Sequence, residues 1–308
     1  MTQNTTIRTT NMGDLYLHKC PVCQSKLGAH PAIIPEIDPS FEKKIKKKIW
    51  EGFTKSIIFF PYYRCKCGML TTKTFIKEKA LNHLYSDMQE NVYEDDNRIN
   101  DIETRKGYLL QIKNFLDFEK KNINLLEIGA DNGNFIKLIK QFNNKIDFTA
   151  VEPNKKMHKR LKLLTKNVYD NINKIPKDKK FDFIIAVHVF DHIPNLTEFL
   201  KKIGKKLRKG GFIYGVVHDE RSLMAKLLGK RWPAYSIQHP HLFNPNSADV
   251  LFKKLKYKKS FIIKTKNFFN LGFLLQNLFY VIFKIKISFP SFFPIGLKLG
   301  NFSFLYKK

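Results

Sequence analysis

Short apolar runs alternate with amphipathic segments from residue 122 towards the C-terminus. Four runs have the length and composition of buried strands: INLLEIG (123–129), KIDFTAVEP (145–153), FDFIIAVHVF (181–190) and GFIYGVVHD (211–219). Three segments between them have helical spacing: NFIKLIKQF (134–142), MHKRLKLL (157–164) and LTEFLKKIGKKLRKG (196–210), the last expected to end at its glycine. This alternation predicts an α/β fold with a parallel sheet covered by helices on both faces.

The last third of the chain continues the pattern. FNPNSADVLFKKL (243–255) predicts a helix with Asn244 as its N-cap and Pro245 in its first turn. KSFIIKTK (259–266) and NFSFLYKK (301–308) predict two further strands. Before the sheet, residues 77–118 have helical patterning, with apolar residues at Leu109, Ile112, Phe115 and Leu116.

The stretch 268–283 is the most apolar part of the chain. Its 16 residues include three Asn or Gln side chains, and a spanning helix needs about 20 apolar residues. We expect a helix buried within the domain. A helix lying on a membrane surface is the first alternative and a membrane span the second.

Composition and charge narrow the class of protein. With 308 residues, 43% of them hydrophobic, the chain can bury a substantial core, which excludes a disordered or fibrous protein. The 55 basic residues exceed the 27 acidic ones, a net charge of +28, yet 47 of them are Lys, whereas Arg is the usual reader of phosphates and bases. Much of this charge fits solvated helix faces, and an anionic substrate, a membrane surface or a nucleic acid stays open as its partner.

Residues 1–11 contain no apolar run, so we expect no signal peptide and a cytoplasmic protein. A peripheral position at the inner face of the membrane, through residues 268–283, is an option.

The turn LLEIGADNGNF (125–135) indicates a cofactor site. Gly129 permits a sharp turn after a strand, and Gly133 allows the next helix to begin close to a ligand. Glu127 precedes the turn, and Glu152 ends the next strand, at the spacing at which a carboxylate accepts hydrogen bonds from ribose hydroxyls. Because Glu127 and Asp131 flank the turn, a ligand that carries positive charge fits better than a phosphate. A nicotinamide dinucleotide is the alternative.

These residues resemble the class I S-adenosylmethionine-dependent methyltransferases, from Ile123 to the C-terminus. The turn EIGADNG, VEP with Glu152, FDFIIAVHVFDHI (181–193) and the strand after Gly211 match in order. The resemblance implies a seven-stranded Rossmann-like sheet and S-adenosylmethionine as cofactor. It also implies the cofactor-binding residues Glu127, Gly129, Ala130, Asp131, Gly133, Phe135, Glu152, Pro153 and His188. Asp131 stands where the commonest family turn has Gly, a departure typical of sugar C-methyltransferases and their relatives.

The four cysteines form two close pairs. CPVC (20–23) and CKC (65–67) are separated by 41 residues, and the second pair is followed by Gly68. Four thiolates are what a structural zinc ion prefers, so Cys20, Cys23, Cys65 and Cys67 are the predicted metal ligands, although C-x-C and the long gap depart from the usual ribbon. His18 or His30 could replace one ligand, and reduced core thiols are the alternative. We therefore expect a zinc-ribbon domain with a lysine-rich insert over residues 1–76, a helical segment over 77–121 and the methyltransferase domain over 122–308.

Histidines and acids follow two central strands, where sites of open α/β sheets form. Asp191 and His192 follow one strand, and His218 ends the next. A hydroxyl acceptor must lose a proton, and histidine suits that task near neutral pH. The candidate catalytic residues are thus His192, His218 and Asp191, with His192 favoured as base because its segment matches the family. His239 and His241 are candidates to cover the acceptor pocket.

The ribbon and the segments 81–95 and 243–257 resemble methyltransferases of surface-polysaccharide and sugar modification. The resemblance implies methyl transfer to a sugar, nucleotide-sugar or glycan, with O- and C-methylation both open. A ribosomal-RNA methyltransferase is the first alternative, although HVFDHI lacks the Asn/Asp-Pro-Pro-aromatic motif of amino-group methyltransferases. A non-catalytic cofactor-binding scaffold is the second. The acceptor and the oligomeric state stay undetermined at this stage.

Overall fold

The computed structural model describes residues 15–17, 19–38, 57–81, 95–116, 123–283, 285, 287–290 and 294–308. Its centre is a sheet of seven strands: β5 Asn124–Ile128, β6 Asp147–Val151, β7 Asn167–Tyr169, β8 Phe181–Val187, β9 Leu207–His218, β11 Lys258–Lys264 and β14 Asn301–Lys307. Their order in the sheet is β11-β14-β9-β8-β5-β6-β7. The predicted α/β class and the seven-stranded Rossmann-like sheet are confirmed.

The order of the strands positions the site. β5 pairs in parallel with β6 on one side and with β8 on the other, so the order in which strands are added to the sheet reverses at β5. In open α/β sheets, ligands bind at this switch point, outside the carboxyl ends of the strands. β14 is antiparallel to both β9 and β11 and closes the far edge.

Helices cover both faces of the sheet, as the alternating pattern predicts. They are α1 Asp95–Ile112, α2 Asn134–Phe142, α3 His158–Lys162, α4 Leu196–Lys206, α5 Leu223–Leu228, α6 Pro245–Lys254 and α7 Leu271–Phe283. The predicted cap of α6 is confirmed: the Asn244 side chain accepts from Ser247 N–H, and Ser247 Oγ accepts from Asn244 N–H, each at 3.0 Å. One buried cluster joins α4 and α6 to one face, and another joins α1 and α2 to the opposite face.

Two predicted helix ends are wrong. The helical pattern expected up to residue 118 ends as a helix at Ile112, because Phe115 and Leu116 N–H groups both donate to the Ile112 carbonyl and close a turn that buries Leu116. Residues 82–94 and 117–122 lie outside the described part. The helix expected to end at Gly210 ends at Lys206. Leu207 is buried and already pairs with Phe181 of β8, so strand pairing begins before the glycine.

The N-terminal region forms small strands that join the main body. They are β1 Leu15–Leu17, β2 Tyr62–Arg64, β3 Leu70–Thr72 and β4 Thr74–Ile76. β10, His241–Leu242, adds to this region by pairing with β3, although it lies far along the chain. Arg64 also makes a two-pronged ion pair with Glu220 at 2.6 and 2.9 Å. The N-terminal region therefore packs directly on the sheet domain.

The chain leaves the sheet between β11 and β14 and returns after an insert of residues 265–300. The insert contains β12 Asn267–Asn270, α7, and β13 Pro294–Leu297, with β12 antiparallel to β13. The predicted helix over 268–283 is thus wrong at its start, because residues 267–270 pair as a strand. Among the described residues, none of the helices is long and apolar enough to cross a membrane.

Candidate functional site

The turn between β5 and α2 has the backbone that its sequence predicts. Gly129 and Gly133 have φ angles of 69° and 77°, in the left-handed region that glycine adopts without strain. A Cβ atom at Gly129 would also lie 2.6 Å from Val189 Cγ2. Asp131 has a φ of 47°, which explains why glycine is common at this position and why Asp, which tolerates that region, can replace it.

Glu127 lies buried at the end of β5 and faces a buried arginine from α1. Arg105 Nη1 is 3.7 Å from Glu127 Oε1, and Arg105 Nε donates to both carboxylate oxygens of Asp101 at 2.9 Å. Burial raises the pKa of Glu127 to about 8, although Arg105 opposes that shift. Arg105 Nη1 and Glu127 Oε1 are buried without a hydrogen-bond partner in the structure. Buried polar atoms of this kind call for a ligand or water, and the amino and carboxylate groups of an amino acid would satisfy both.

Glu152 ends β6 beside the same turn. Its Oε2 accepts from Asp131 N–H and its Oε1 accepts from Asn154 N–H, each at 2.9 Å. Burial raises the pKa of Glu152 to about 7. These bonds hold the carboxylate in one orientation, and its remaining lone pairs can accept from two hydroxyls, as a ribose requires.

A cavity of about 870 Å³ runs from this turn past the ends of β6, β7 and β8. Its volume is near the upper end of the range for ligand sites. Among the predicted cofactor residues, Gly129, Asp131, Glu152, Pro153 and His188 line it. Glu127 is buried and is not among the lining residues, but it lies 3.7 Å from Arg105, which lines the cavity. Ala130, Gly133 and Phe135 are not among the lining residues, and the Ala130 and Phe135 side chains lie in the core.

Four histidine rings and one carboxylate form a cluster at the ends of β8 and β9. His218 Nδ1 is 2.5 Å from Asp191 Oδ2, and the His188 and His218 ring centroids are 4.8 Å apart. His192 Nε2 is 3.1 Å from His239 Nε2, whose ring lies 4.8 Å from that of His218. His188 and His192 line the cavity; Asp191 and His218 are not among its lining residues, but His218 adjoins His188 and keeps 23% of its side chain exposed.

The histidines around Asp191 favour its ionised form. Burial alone would raise the pKa of Asp191, but the charge and hydrogen bond of His218 hold that pKa well below its usual range. When the His218 ring is neutral, an ionised Asp191 accepts the hydrogen bond from Nδ1–H and leaves Nε2 as the unprotonated nitrogen.

The remaining histidines have structural contacts. His239 Nδ1 donates to the Ala234 carbonyl at 2.7 Å, so its Nε2 accepts from His192. Burial lowers the pKa of His192. His241, which we expected to cover the acceptor pocket, is buried between Thr71 and the Pro194 carbonyl and is not among the residues that line the cavity.

The four cysteines converge as predicted. All four sulfur atoms lie within 4.8 Å of one another, with Cys20–Cys67 and Cys23–Cys65 separations of 3.5 and 3.2 Å. The second pair lies in a turn in which Gly68 N–H donates to the Cys65 carbonyl at 2.8 Å. Within this turn, a C-x-C spacing is enough to bring both thiols to the other two cysteines. His30 is exposed and is not part of this group, and His18 lies outside the described residues.

Sequence reasoning missed three parts of the cavity wall. Arg105 and Asp101 are one helical turn apart on α1, a spacing that could have identified a buried ion pair. Asp170 and Asn171 follow β7 and could have been found by the rule that strand ends line the site. Phe268, Phe269 and Asn270 come from the insert, and no sequence signal places them there.

The methyltransferase-domain family matches residues 102–258, just over half of the chain. The chain therefore belongs to the methyltransferase-domain family, and it is an S-adenosylmethionine-dependent methyltransferase by class. Among curated proteins, none matches the chain significantly.

Several solved structures resemble the chain at low identity. An S-adenosylmethionine-dependent methyltransferase from Archaeoglobus fulgidus is 19% identical, with 66% of this chain and 94% of that chain covered and a TM-score of 0.46. The N-methyltransferase NodS from Bradyrhizobium japonicum, in complex with S-adenosyl-l-homocysteine, is 12% identical, with 74% and 96% covered and a TM-score of 0.45. The plantazolicin methyltransferase BpumL is 16% identical, with 75% and 90% covered and a TM-score of 0.45. Likeness this distant says nothing about the acceptor.

Proposed function

We propose that the protein transfers a methyl group to a sugar, nucleotide-sugar or glycan, with His218 as the base that removes the acceptor's proton. The observation that carries this proposal is the Asp191–His218 hydrogen bond of 2.5 Å at the strand ends beside the cofactor turn. A sugar hydroxyl, or a carbon acid beside a sugar ketone, must lose a proton as it accepts a methyl group.

The cofactor residues fit S-adenosylmethionine. Arg105 would pair with its carboxylate, Glu127 with its ammonium group and Glu152 with its ribose hydroxyls, and the first two side chains have buried polar atoms without partners. When bound, the cofactor supplies a methyl group that is already activated by its sulfonium. The protein then needs to align the acceptor and hold a base.

The two candidate bases differ in how they are held. His218 is oriented by an ionised carboxylate, which also stabilises the positive ring that forms when Nε2 accepts the proton. His192 lines the cavity, but its Nε2 donates to His239 and burial lowers its pKa, which makes it a weaker base. The sequence favoured His192 as the base, but the contacts of the two rings favour His218.

Single substitutions separate the two histidines. His218→Ala and Asp191→Asn should each lower kcat roughly 10²–10⁴-fold, the range for a general base and its orienting group, with cofactor affinity within about twofold of wild type. His192→Ala should have a smaller effect. A larger loss in His192→Ala than in His218→Ala would assign the base to His192, and unchanged turnover in both would show that alignment alone suffices.

We further propose that Cys20, Cys23, Cys65 and Cys67 hold a structural zinc ion. Tetrahedral zinc with bonds of about 2.3 Å places its sulfur ligands about 3.8 Å apart, and the four sulfur atoms are gathered at close to that spacing. Metal analysis of protein purified without chelator should give about one zinc per chain, and Cys23→Ser protein should hold clearly less. Wild-type protein without zinc would contradict the proposal.

A further inference from the structure

The insert of residues 265–300 has an inner and an outer side. On the inner side, Phe268 N–H donates to Thr104 Oγ1 at 2.8 Å, and Tyr108 OH donates to Asn267 Oδ1 at 3.1 Å. These contacts attach β12 to α1, and residues 268–270 line the cavity. The insert is therefore part of the cavity wall rather than a detached appendage.

The outer side, among its described residues, exposes apolar side chains at the end of α7. The helix α7 has no charged residue over its 13 positions, whereas a helix on a protein surface normally has a polar face. Phe283 is 56% exposed, Ile285 56% and Ile287 37%. At about 1.5 Å per residue α7 is roughly 20 Å long, too short to cross a bilayer.

The charge around this surface has one sign. Residues 250–308 contain 12 lysines and no acidic residue. Among them, Lys264, Lys266 and Lys298 are exposed. A second copy of the same surface would be repelled by this charge, whereas a surface with negative headgroups would be attracted.

A second exposed apolar patch, on α5, lies near the end of the insert. Leu223 and Leu227, one turn apart on α5, are 68% and 70% exposed, and Lys226 between them is exposed too. Ser222, just before α5, faces Gly300 at the end of the insert: a Cβ atom at Gly300 would lie 3.5 Å from Ser222 Oγ. The start of α5 and the end of the insert are therefore close to each other.

We propose that the outer surface of the insert, formed by Phe283, Ile285 and Ile287 in a region rich in lysine, docks onto an anionic lipid bilayer. Apolar side chains that enter the headgroup region together with flanking cations are the two signals that stable peripheral binding requires. Because the inner strand of the insert lines the cavity, docking would hold the cavity beside the bilayer. The inference goes beyond the proposed methyl transfer and does not depend on it.

Sedimentation of the purified full-length chain with vesicles tests the proposal. The protein should bind vesicles of phosphatidylcholine mixed with phosphatidylglycerol and not those of phosphatidylcholine alone, and added salt should weaken the binding by screening. The triple variant Phe283→Ser, Ile285→Ser, Ile287→Ser should bind at least about 10-fold more weakly, since it removes three large apolar side chains. Phe142→Ser is the matched control, because Phe142 is 66% exposed but ends α2, a helix outside the insert.

Three outcomes would overturn the proposal. They are a wild-type protein that ignores anionic vesicles, a triple variant that binds them like wild type, and a wild-type dimer that the triple variant dissociates without vesicle binding, which would assign the surface to a second copy. Retained cofactor binding in the triple variant shows that it is folded. Methyl transfer is measured without vesicles, so that a failure of membrane binding can be distinguished from a failure of the proposed function.

Discussion

Lowering the pH should weaken cofactor binding, because the carboxylate proposed to bind the cofactor's ammonium group is protonated near neutral pH in the free protein. Burial raises the pKa of Glu127 to about 8, so much of its population is neutral at pH 7. An ammonium group gains little from a neutral carboxyl. Binding must therefore expel the proton, and the cost rises as the pH falls.

The size of the effect follows from the ionised fraction of Glu127. With a pKa of about 8, that fraction is about 1% at about pH 6 and about 24% at about pH 7.5, which corresponds to a rise in affinity of about 20-fold. The cofactor's own amino group stays mostly protonated over this interval, since such groups have pKa values of about 7.7–8.0. Glu152, whose pKa burial raises to about 7, adds a smaller change in the same direction.

Calorimetric titration with S-adenosylmethionine measures both the affinity and the proton. In buffers of different ionisation enthalpy, about 0.9 proton should be released per cofactor at about pH 7 from Glu127 alone. Glu127→Gln should remove most of this release and most of the pH dependence. Glu103→Gln, on the exposed side of α1, is the control and should retain both. Equal proton release in wild type and Glu127→Gln would refute the assignment of Glu127 to the cofactor's ammonium group.

Three further predictions concern Arg105, the zinc site and the insert. Arg105→Met should weaken cofactor binding roughly 10–100-fold, the scale of a charged hydrogen bond. Lys106→Met, on the exposed side of α1, is the control and should leave the affinity unchanged. Equal cofactor affinities of the two variants in calorimetry would contradict the role of Arg105. Chelation of zinc should lower the melting temperature of the whole chain in one transition, because Cys20 and Cys65 share a buried cluster with the sheet; scanning calorimetry that shows loss of only a separate small transition would favour an independent ribbon. Replacement of residues 266–300 by a two-residue turn should leave the sheet folded, because Thr265 N–H already donates to the Asn301 carbonyl at 3.1 Å; loss of the folded circular-dichroism spectrum would show that the insert is required.

The sheet was predictable because its signals are local. Six of the seven strands overlap apolar runs of the sequence, whereas the short β7 was not predicted, and α2 has the bounds that its amphipathic pattern predicts. The errors arose where tertiary contacts override that pattern. Leu207 joins β9 because Phe181 is beside it, and residues 267–270 form a strand because β13 and Thr104 provide partners.

The candidate site was predictable where residues close in sequence share a turn. Gly129, Asp131 and Glu152 line the cavity, and the four cysteines converge. Arg105 could not be assigned, because its contact with Glu127 joins a helix and a strand that the local pattern does not relate. The choice between His192 and His218 likewise depends on which ring Asp191 faces, and both follow an apolar strand in the sequence.

Methyl transfer from S-adenosylmethionine to a panel of nucleotide sugars, followed by product mass, tests the central claim most directly. The account predicts a product heavier by one methylene group, formed at least about 100-fold more slowly by His218→Ala protein. Methylation of ribosomal RNA with no sugar product would instead establish the RNA alternative. Cofactor binding without transfer to any sugar or RNA would contradict the claim that this chain is a sugar methyltransferase.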